Sequence, residues 1–496
     1  MKNINILDCT LRDGGYVNDW NFGHSVISSI YKRLESCGVE YIEIGFLDDR
    51  RKFDENRSIM PNTESINKIF ASIPKGKAMP VAMIDFGTCS LDSIGPCETT
   101  FIDGIRVIFK KEKIAQALPF CKAIKEKGYK LFIQAISITS YSDMEMLEYV
   151  KQINEIQPYA FSIVDTYGLL DDKSLTRYFY LIDNNLDPNI KLGYHEHNNF
   201  QLGFSNTIKF LNMDTKRELI ADSTIYGMGK SAGNCPSELL TMQMNSYYGK
   251  HYDIVQLLEV IDTDLMPIYQ KNYWGYKYNF YIAAMQACHP SYVKYLLDKK
   301  TLSVSSVNEI LSAIPNEKKL LYDKSWIESA YKNFQNREID DSLTYDVLKE
   351  IFAEKDVILL GPGPSFIVDA NLIERECRQF NSLVVAVNFY PTSSKVDYVF
   401  MSNSKRYMKL ADMIYNETVN APKLILTSNV TPLDCQPDYV LNYESLLYSD
   451  ENCSDNSLLL LLNALIRLGV KRVRLAGFDG FSDDGNNYYQ MDYELS

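Results

Sequence analysis

Two of the five histidines of the chain lie within one tripeptide, His195-Glu196-His197. Side chains at positions i and i+2 of a strand project from the same face, so both imidazoles can point the same way if this segment ends a strand. Two neutral imidazoles and one carboxylate form a metal site with open positions for water and substrate, which is typical of catalytic centres. Asp13, which follows the first apolar run, is the expected carboxylate. The alternative is a surface pair of histidines with an unrelated aspartate.

Mixed nitrogen and oxygen ligands suit Mn²⁺ or Mg²⁺, with Co²⁺ or Zn²⁺ also compatible, and an Fe²⁺ oxygenase would use the same ligand set. Arg12 adjoins Asp13, where a cation can stabilise an enolate oxygen, although an arginine before an aspartate also forms ordinary ion pairs. Residues 227–234 (GMGKSAGN) form a glycine-rich loop that permits close approach of the backbone to a ligand.

The elements that must position these residues follow a repeated pattern. Residues 1–230 alternate short apolar runs with segments of helical periodicity, as βα units do. An open doubly wound sheet also alternates, but it usually carries a GxGxxG loop after its first strand, and LDCTLRDGG is not such a loop. The pattern therefore favours a closed TIM (β/α)8 barrel, in which active sites lie where strands end. The predicted strands are residues 4–11, 39–46, 77–84, 104–109, 129–136, 160–166, 191–198 and 218–227.

At 496 residues the chain is too long for one compact core. We expect the barrel over residues 1–252, a helical extension and linker over 253–350, and a smaller Rossmann-like α/β domain over 351–496. In the last domain a predicted strand runs into a Gly/Pro turn that can seat a phosphate or nucleotide at a helix N-terminus, although such turns need glycine in any case. The contacts expected there are Gly361, Gly363 and Ser365.

Composition and charge argue against several classes of protein. The formal net charge is −13 and no cluster of Lys and Arg stands out, so a nucleic-acid partner is not expected. The most apolar run, residues 458–462, is far shorter than the roughly 20 residues of a membrane span. The N-terminus lacks the features of a secretory signal, and the ten cysteines show no paired spacing. We expect a cytoplasmic homo-oligomer with reduced thiols.

Three motifs together resemble a known family. DCTLRDGG (from Asp8), HEHN (from His195) and GMGKSAGN followed by Glu238 are similar, in this order, to the DRE-TIM metallolyases, the HMGL-like family of pyruvate-handling aldolases and acyl-CoA lyases and synthases. The similarity covers roughly the first 250 residues and is greatest to the 4-hydroxy-2-oxovalerate-type aldolases. It implies a metal held by Asp13, His195 and His197, with Arg12 polarising the keto and enolate oxygen. It also implies that four residues line the cavity, Glu43 and Thr166 as catalytic groups and Gln134 and Asn234 as substrate contacts. Each of them can equally be a hydrogen-bonded residue at the top of the barrel without a role in catalysis.

Two departures from the family pattern affect the expected chemistry. The aldolases carry a histidine three residues after the motif aspartate, as acid or base on the substrate hydroxyl, whereas this chain has Tyr16. Proton transfer is then expected from Tyr16, His289, metal-bound water or another group. The acyl-CoA lyases place a cysteine in the loop after the eighth strand, but Cys235 lies just outside that loop. A CoA thioester is therefore the second choice of substrate.

The sequence thus predicts a class II aldolase that joins pyruvate to an aldehyde, a sugar in our interpretation, to give a 2-keto-3-deoxy acid. Segments beginning at Asp356, Asp397 and Leu468 resemble CMP-sialyltransferase-like proteins, which implies a cytidine nucleotide at the C-terminal domain and a role in bacterial surface polysaccharide synthesis. The alternatives are an acyl-CoA-dependent Claisen-type synthase or lyase, and a nucleotide-sugar transferase with a non-catalytic barrel.

Overall fold

The computed structural model describes residues 3–368, 370–380, 382–391, 394–416, 421–432, 436–448, 455–480 and 487–488. Contacts divide the chain into two compact units, Met1–Pro290 and Ser291–Ser496. The domain boundaries predicted at residues 252 and 350 stay a prediction. Cys435, Cys453 and the end of the motif that begins at Leu468 lie outside the described residues, and the side chain of Cys377 is not described.

The first unit is the predicted barrel. Its parallel strands follow the order β1-β9-β8-β7-β6-β5-β4-β2-β3, and pairing of Leu7 with Tyr41 joins β1 to β2 and closes eight of them into a cylinder. All eight predicted strands are confirmed, and the short β3 beside β2 was not predicted. The strands are β1 (Ile4–Asp8), β2 (Tyr41–Leu47), β3 (Ile59–Met60), β4 (Met79–Asp85), β5 (Gly104–Ile108), β6 (Lys130–Ala135), β7 (Ala160–Asp165), β8 (Lys191–Glu196) and β9 (Leu219–Ser223).

Helices surround the barrel and begin at recognisable caps. Ser142 and Glu145 form a reciprocal capping box at the start of α6, and the Asn62 side chain accepts a hydrogen bond from the Ser65 N–H at the start of α4. The helices are α1 (Thr10–Asp13), α2 (Gly15–Asn18), α3 (His24–Cys37), α4 (Thr63–Phe70), α5 (Ile114–Glu126), α6 (Asp143–Ile156), α7 (Asp172–Asp183), α8 (Gly203–Asn212), α9 (Ser237–Tyr247), α10 (Ile254–Val260), α11 (Met266–Tyr269) and α12 (Tyr278–Met285), with a π-helical turn over Ile261–Leu265.

The side chains inside the barrel change from apolar to polar along the direction of the strands. Near the strand beginnings it is filled by a buried apolar layer: Leu7, Tyr41, Val81, Phe132, Ala160 and Ile220. Two positions further along β2, β6 and β9 the same inward faces carry Glu43, Gln134 and Asp222, all buried. Because burying a polar group is costly unless it is hydrogen-bonded or ion-paired, the residues of this second layer need partners. The layer also marks the end of the barrel at which an active site is expected.

The second unit is a parallel α/β sheet with strand order β14-β13-β12-β11-β10-β15. Its strands are β10 (Asp356–Leu360), β11 (Leu383–Val387), β12 (Tyr398–Met401), β13 (Lys423–Thr427), β14 (Tyr439–Leu441) and β15 (Arg472–Ala476), of which only β14 was not predicted. Its helices are α13 (Pro290–Asp298), α14 (Val304–Ser312), α15 (Asn316–Lys319), α16 (Lys324–Gln335), α17 (Ser342–Phe352), α18 (Ser365–Val368), α19 (Ala370–Phe380), α20 (Ser404–Tyr415), α21 (Tyr443–Leu446) and α22 (Ser457–Arg467). Within the described part of the chain, no helix combines the length and the apolar character needed to cross a membrane.

The Gly/Pro turn after β10 packs against the loop after β15. The Gly361 N–H donates to Ala476 O at 2.8 Å and the Gly363 N–H to Gly477 O at 2.8 Å. The Ser365 N–H donates to Asp479 Oδ2 at 2.9 Å. Close approach of the two loops therefore accounts for the glycines, and nucleotide binding by Gly361, Gly363 and Ser365 stays a prediction.

Candidate metal centre

Asp13 lies on the short helix α1 and not on the strand before it, where the sequence suggested. The turn begins because the Asp8 carboxylate accepts a hydrogen bond from the Thr10 N–H at 2.9 Å. The Asp13 N–H then donates to Cys9 O at 2.8 Å, which closes the helical turn. This turn carries both Arg12 and Asp13 to the mouth of the barrel, and both are buried.

Asp13, His195 and His197 come together as the sequence predicted. One ligand atom from each residue lies within 4.8 Å of the others, and all three side chains are buried. The two imidazole rings are nearly perpendicular, with centroids 5.3 Å apart. His197 Nδ1 has no hydrogen-bond partner among the described residues and lies 3.9 Å from Asp13 Oδ2. A buried ring nitrogen and a buried carboxylate without a direct hydrogen bond between them fit a divalent cation held by mixed N and O ligands.

The protonation of these residues suits a cation. Burial acts to raise the pKa of Asp13, but Arg12 and the two histidines outweigh it and hold that pKa well below its usual range. Burial lowers the pKa of His197 to about 3, so its imidazole is neutral at pH 7. A carboxylate and a neutral imidazole are the forms that bind metals.

A second group, Cys9, His195 and Asp222, also has its ligand atoms within 4.8 Å of one another. Here, however, Arg106 donates to Asp222 Oδ2 and places a positive charge in the group. Burial also raises the pKa of the Cys9 thiol well above its usual value, so the thiolate is disfavoured. The Asp13 group is therefore the better candidate for a cation.

Arg12 is fixed by two carboxylates. Its Nε donates to Glu43 Oε2 at 2.7 Å and its Nη1 to Asp13 Oδ1 at 2.6 Å. These bonds leave Nη2 without a hydrogen-bond partner in the described part of the chain. The guanidinium is thus held rigidly next to the ligand group with one donor nitrogen available.

Arg106, on β5, links several strands inside the barrel and was missed by the sequence analysis. Its Nη2 donates to Asp222 Oδ2 and, at 3.1 Å, to Gln134 Oε1, and its Nη1 lies 3.0 Å from Glu43 Oε2. Asp222 Oδ2 also lies 3.0 Å from His195 Nδ1. An arginine inside the apolar run GIRVI was the one sequence signal that could have indicated this network.

The glycine-rich loop after β9 closes over Asp13. The Asn234 side-chain amide donates to Asp13 Oδ2, and the Lys230 backbone N–H donates to the same oxygen at 3.3 Å. A Cβ at Gly229 would lie 2.5 Å from Asp13 Oδ2, so only glycine permits this approach. Asn234 Oδ1 is buried without a partner in the described residues and can face a ligand. The Lys230 ammonium lies 5.4 Å from the centre of the Tyr16 ring. Like Arg106, Lys230 was not predicted from the sequence as a residue of the site.

The remaining predicted residues lie in unit 1 as follows, and their roles stay predictions. Tyr16 is 42% exposed, with its ring centre 4.8 Å from that of Trp20, and loss of hydration raises its pKa to about 12. Thr166 Oγ1 accepts a hydrogen bond from the Ser137 N–H at 2.7 Å and so holds a neighbouring loop. The His289 ring lies 5.9 Å from that of Tyr167, and burial, reinforced by Lys230 and Lys110, lowers its pKa to about 4.

Cys235 does not occupy the position of a catalytic cysteine. Its side chain is buried in the main apolar core, and burial raises its pKa far above the usual value. A thiol in this state is a poor nucleophile. Cys235 is therefore poorly suited to act as the catalytic thiol of the acyl-CoA lyases, and an acyl-CoA substrate stays the second prediction.

Comparison with known proteins identifies the family. Residues 3–263 match the family model described as HMGL-like. An oxaloacetate decarboxylase from Mycobacterium tuberculosis is 21% identical over 322 residues, which cover 61% of this chain and 89% of that protein. A 4-hydroxy-2-oxovalerate aldolase from Pseudoalteromonas translucida is 21% identical over 269 residues, which cover 54% of this chain and 77% of that protein. The solved N-terminal domain of a candidate aldolase from Bacteroides vulgatus shares the fold, with a TM-score of 0.50 and 24% identity over 62% of this chain and 99% of that domain. Because the family model spans more than half of the 496 residues, the chain belongs to the HMGL-like family.

Proposed function

We propose that the first unit is a divalent-metal-dependent aldolase that joins the enolate of pyruvate to an aldehyde to give a 4-hydroxy-2-oxo acid, or catalyses the reverse cleavage. The proposal rests on the buried group of Asp13, His195 and His197, with ligand atoms within 4.8 Å of one another beside the Arg12 guanidinium. A divalent ion held by these three residues would supply a Lewis acid that polarises a 2-oxo acid and so acidifies its C3 protons.

The names of the two curated relatives support a shared chemistry. One is an oxaloacetate decarboxylase and the other a 4-hydroxy-2-oxovalerate aldolase. Decarboxylation of oxaloacetate and cleavage of 4-hydroxy-2-oxovalerate both break the bond between C3 and C4 of a 2-oxo acid and leave the electron pair on C3. The adjacent keto group delocalises that pair as an enolate. A site that stabilises the pyruvate enolate therefore meets the requirement that the two reactions have in common.

The formal charges of the five ion-paired residues beside the proposed metal site complement a monoanionic 2-oxo acid. Two guanidinium groups, Arg12 and Arg106, face three carboxylates, Asp13, Glu43 and Asp222, which gives a net charge of −1. A divalent ion changes this sum to +1, which balances the single carboxylate of pyruvate. Because the residues are shielded from water, this balance has a larger effect on binding than it would at the surface.

Arg12 is the residue best placed to stabilise negative charge on the keto oxygen. Its Nη2 is the donor that the ion pairs with Glu43 and Asp13 leave available. Since those two pairs fix the guanidinium before substrate arrives, little reorganisation is needed when the enolate forms. Glu43 acts here as a positioning residue for Arg12.

Tyr16 and His289 are proposed to divide the proton transfers. With a pKa of about 4 the His289 imidazole is neutral at pH 7 and can accept a proton from the C3 methyl group. With a pKa of about 12 the Tyr16 phenol is protonated and can donate to the aldehyde oxygen as the C3–C4 bond forms. The reverse cleavage uses the same two groups with their roles exchanged.

Exchange of the pyruvate methyl protons tests the proposal directly. The protein is incubated with pyruvate and Mn²⁺ in D₂O, and methyl deuteration is followed by NMR. We expect exchange in the unmodified protein, and loss of exchange in His195→Ala and in Asp13→Asn, since each variant lacks one ligand. His251→Ala serves as the matched control, because His251 is exposed and lies outside the site. Exchange at the unmodified rate in a folded His195→Ala protein would contradict the proposal.

We further propose that the aldehyde is a sugar and that the product, a 2-keto-3-deoxy sugar acid, enters bacterial surface polysaccharide synthesis. This proposal is supported only by the sequence similarity of the second unit to CMP-sialyltransferase-like proteins. Calorimetric titration of the full chain with CTP, CMP and CMP-sugars tests the nucleotide part. Absence of binding for all three removes its support.

A further inference from the structure

Lys230 is a cation at the mouth of the barrel whose function the proposed chemistry does not explain. It belongs to the loop that covers Asp13, and its backbone N–H donates to Asp13 Oδ2 at 3.3 Å. Its side chain extends over Tyr16, with Nζ 5.4 Å from the ring centre. The ammonium therefore lies beside the residue that we propose to act on the aldehyde.

Lys230 differs from the other cations of the site in lacking a counter-ion. Arg12 and Arg106 each lie within 3.0 Å of two carboxylates. In the part of the chain that the structure describes, no carboxylate lies within ion-pair distance of the Lys230 ammonium. The carboxylates of Asp13 and Asp85 attract the Lys230 ammonium only from a longer distance. Asp13 is in addition already bonded to Arg12 and Asn234.

The surroundings of Lys230 make this lack of a counter-ion unfavourable. Loss of hydration is the largest influence on its pKa and lowers it; Asp13 opposes this shift, and the Arg12 guanidinium adds to it. A lysine normally keeps its ammonium in water or pairs it. The contact with the Tyr16 ring offsets only a small part of the lost hydration. An anion that arrives with substrate would remove the imbalance.

We propose that Lys230 binds an anionic group, a carboxylate or a phosphate, on the aldehyde partner, so that the second substrate is an acidic aldehyde and not a neutral one. This inference rests on the proposed aldolase function. The five ion-paired residues and a divalent ion would together balance the carboxylate of pyruvate, and Lys230 adds one further positive charge at the outer edge of the site. Because the ammonium lies on the Tyr16 ring, the anion that it binds belongs to the molecule on which Tyr16 acts.

The test compares matched pairs of aldehydes at saturating pyruvate and Mn²⁺. D-glyceraldehyde is paired with D-glyceraldehyde 3-phosphate, and butanal with succinic semialdehyde, so that each pair differs by one anionic group. We expect the unmodified protein to have the higher kcat/KM for the anionic member of at least one pair. In Lys230→Met that preference falls about 10- to 100-fold, as expected for removal of one partner of a shielded charge pair. Lys230→Arg, which keeps the charge, restores part of it.

Lys113→Met is the control, because it removes an exposed positive charge from the segment that follows β5 and should leave the preference in place. The phosphate and carboxylate pairs show which anion Lys230 binds, and a loss of preference in either pair supports the inference. An equal loss for anionic and neutral aldehydes in Lys230→Met, or no preference in the unmodified protein, overturns it. Failure of pyruvate exchange in the unmodified protein overturns the aldolase proposal instead, so the two failures are distinguishable.

Discussion

Replacing Asp222 by asparagine tests whether the buried network inside the barrel supports the metal centre. Asp222 Oδ2 lies 3.0 Å from His195 Nδ1 and accepts a hydrogen bond from Arg106. If His195 carries its proton on Nδ1 and donates it to this carboxylate, its Nε2 would be the nitrogen that binds a metal ion. A carboxylate in this position fixes the tautomer and the orientation of a ligating histidine and makes it more basic.

The size of the effect follows from the charge that is removed. In Asp222→Asn the new amide oxygen can still accept a hydrogen bond, but the negative charge beside His195 and Arg106 is lost. Loss of such a partner typically weakens metal binding about 10- to 100-fold, which corresponds to about 1.4 to 2.7 kcal/mol. Burial opposes ionisation of Asp222, but Arg106 and His195 outweigh it and keep its pKa below the usual value, so the wild-type group is charged at pH 7.

The affinity for Mn²⁺ can be measured by titration with detection of free Mn²⁺ by electron paramagnetic resonance. Asp183→Asn is the matched control, since Asp183 forms a partly buried ion pair with Arg217 Nε at 2.8 Å but does not contact a proposed ligand. Cys9→Ala is a second control and should bind Mn²⁺ normally. Unchanged affinity in a folded Asp222→Asn protein would refute the reasoning, and a loss in Cys9→Ala would favour the Cys9 group as the metal site.

Two further predictions concern proton transfer and stability. Tyr16→Phe should lower aldol turnover about 100-fold or more while pyruvate exchange continues, because the phenol acts on the aldehyde oxygen and not on C3; parallel loss of both activities would contradict this role. Burial, opposed by hydrogen bonds from Ser237 and Thr10, raises the pKa of Asp8 from 3.8 to about 6. The protonated Asp8 side chain therefore stabilises the folded state below about pH 4, and this stabilisation is lost as the pH rises through about 6. Asp8→Asn should therefore gain up to about 3 kcal/mol over the unmodified protein at pH 7.5 but only about 1 kcal/mol at pH 4.5 in urea unfolding, and an equal difference at both pH values would disprove the assignment.

The barrel and the grouping of Asp13, His195 and His197 were predictable from sequence because the responsible signals are local. The apolar runs that became β1, β2 and β4 to β9 have the length and spacing of βα units, and His195 and His197 lie two residues apart at the end of one run. The strands β3 and β14 were missed since two or three residues are too few to show a period. The helical turn at Thr10–Asp13 was missed because the apolar run continues to Leu11, while the Asp8 side chain starts the turn.

The partners inside the barrel were not predictable, because they depend on its closure. Arg106 and Asp222 are 116 positions apart and meet only when strands from different parts of the chain face each other. Lys230 lies within the predicted glycine-rich loop, but only the packing over Tyr16 reveals the environment of its ammonium group. In the second unit, the glycines at 361 and 363 suit either a phosphate or a close backbone contact, and the hydrogen bonds to Ala476 and Gly477 supply the second explanation.

We propose that Asp13, His195 and His197 hold one divalent ion. An anomalous difference map from a crystal grown with Mn²⁺ tests it most directly, because the map locates the metal without any assumption about activity. We expect one strong peak at the barrel mouth within bonding distance of one atom from each of these three residues. A peak bonded to Cys9 and Asp222, or no peak at the mouth of the barrel, would contradict this assignment of the ligands.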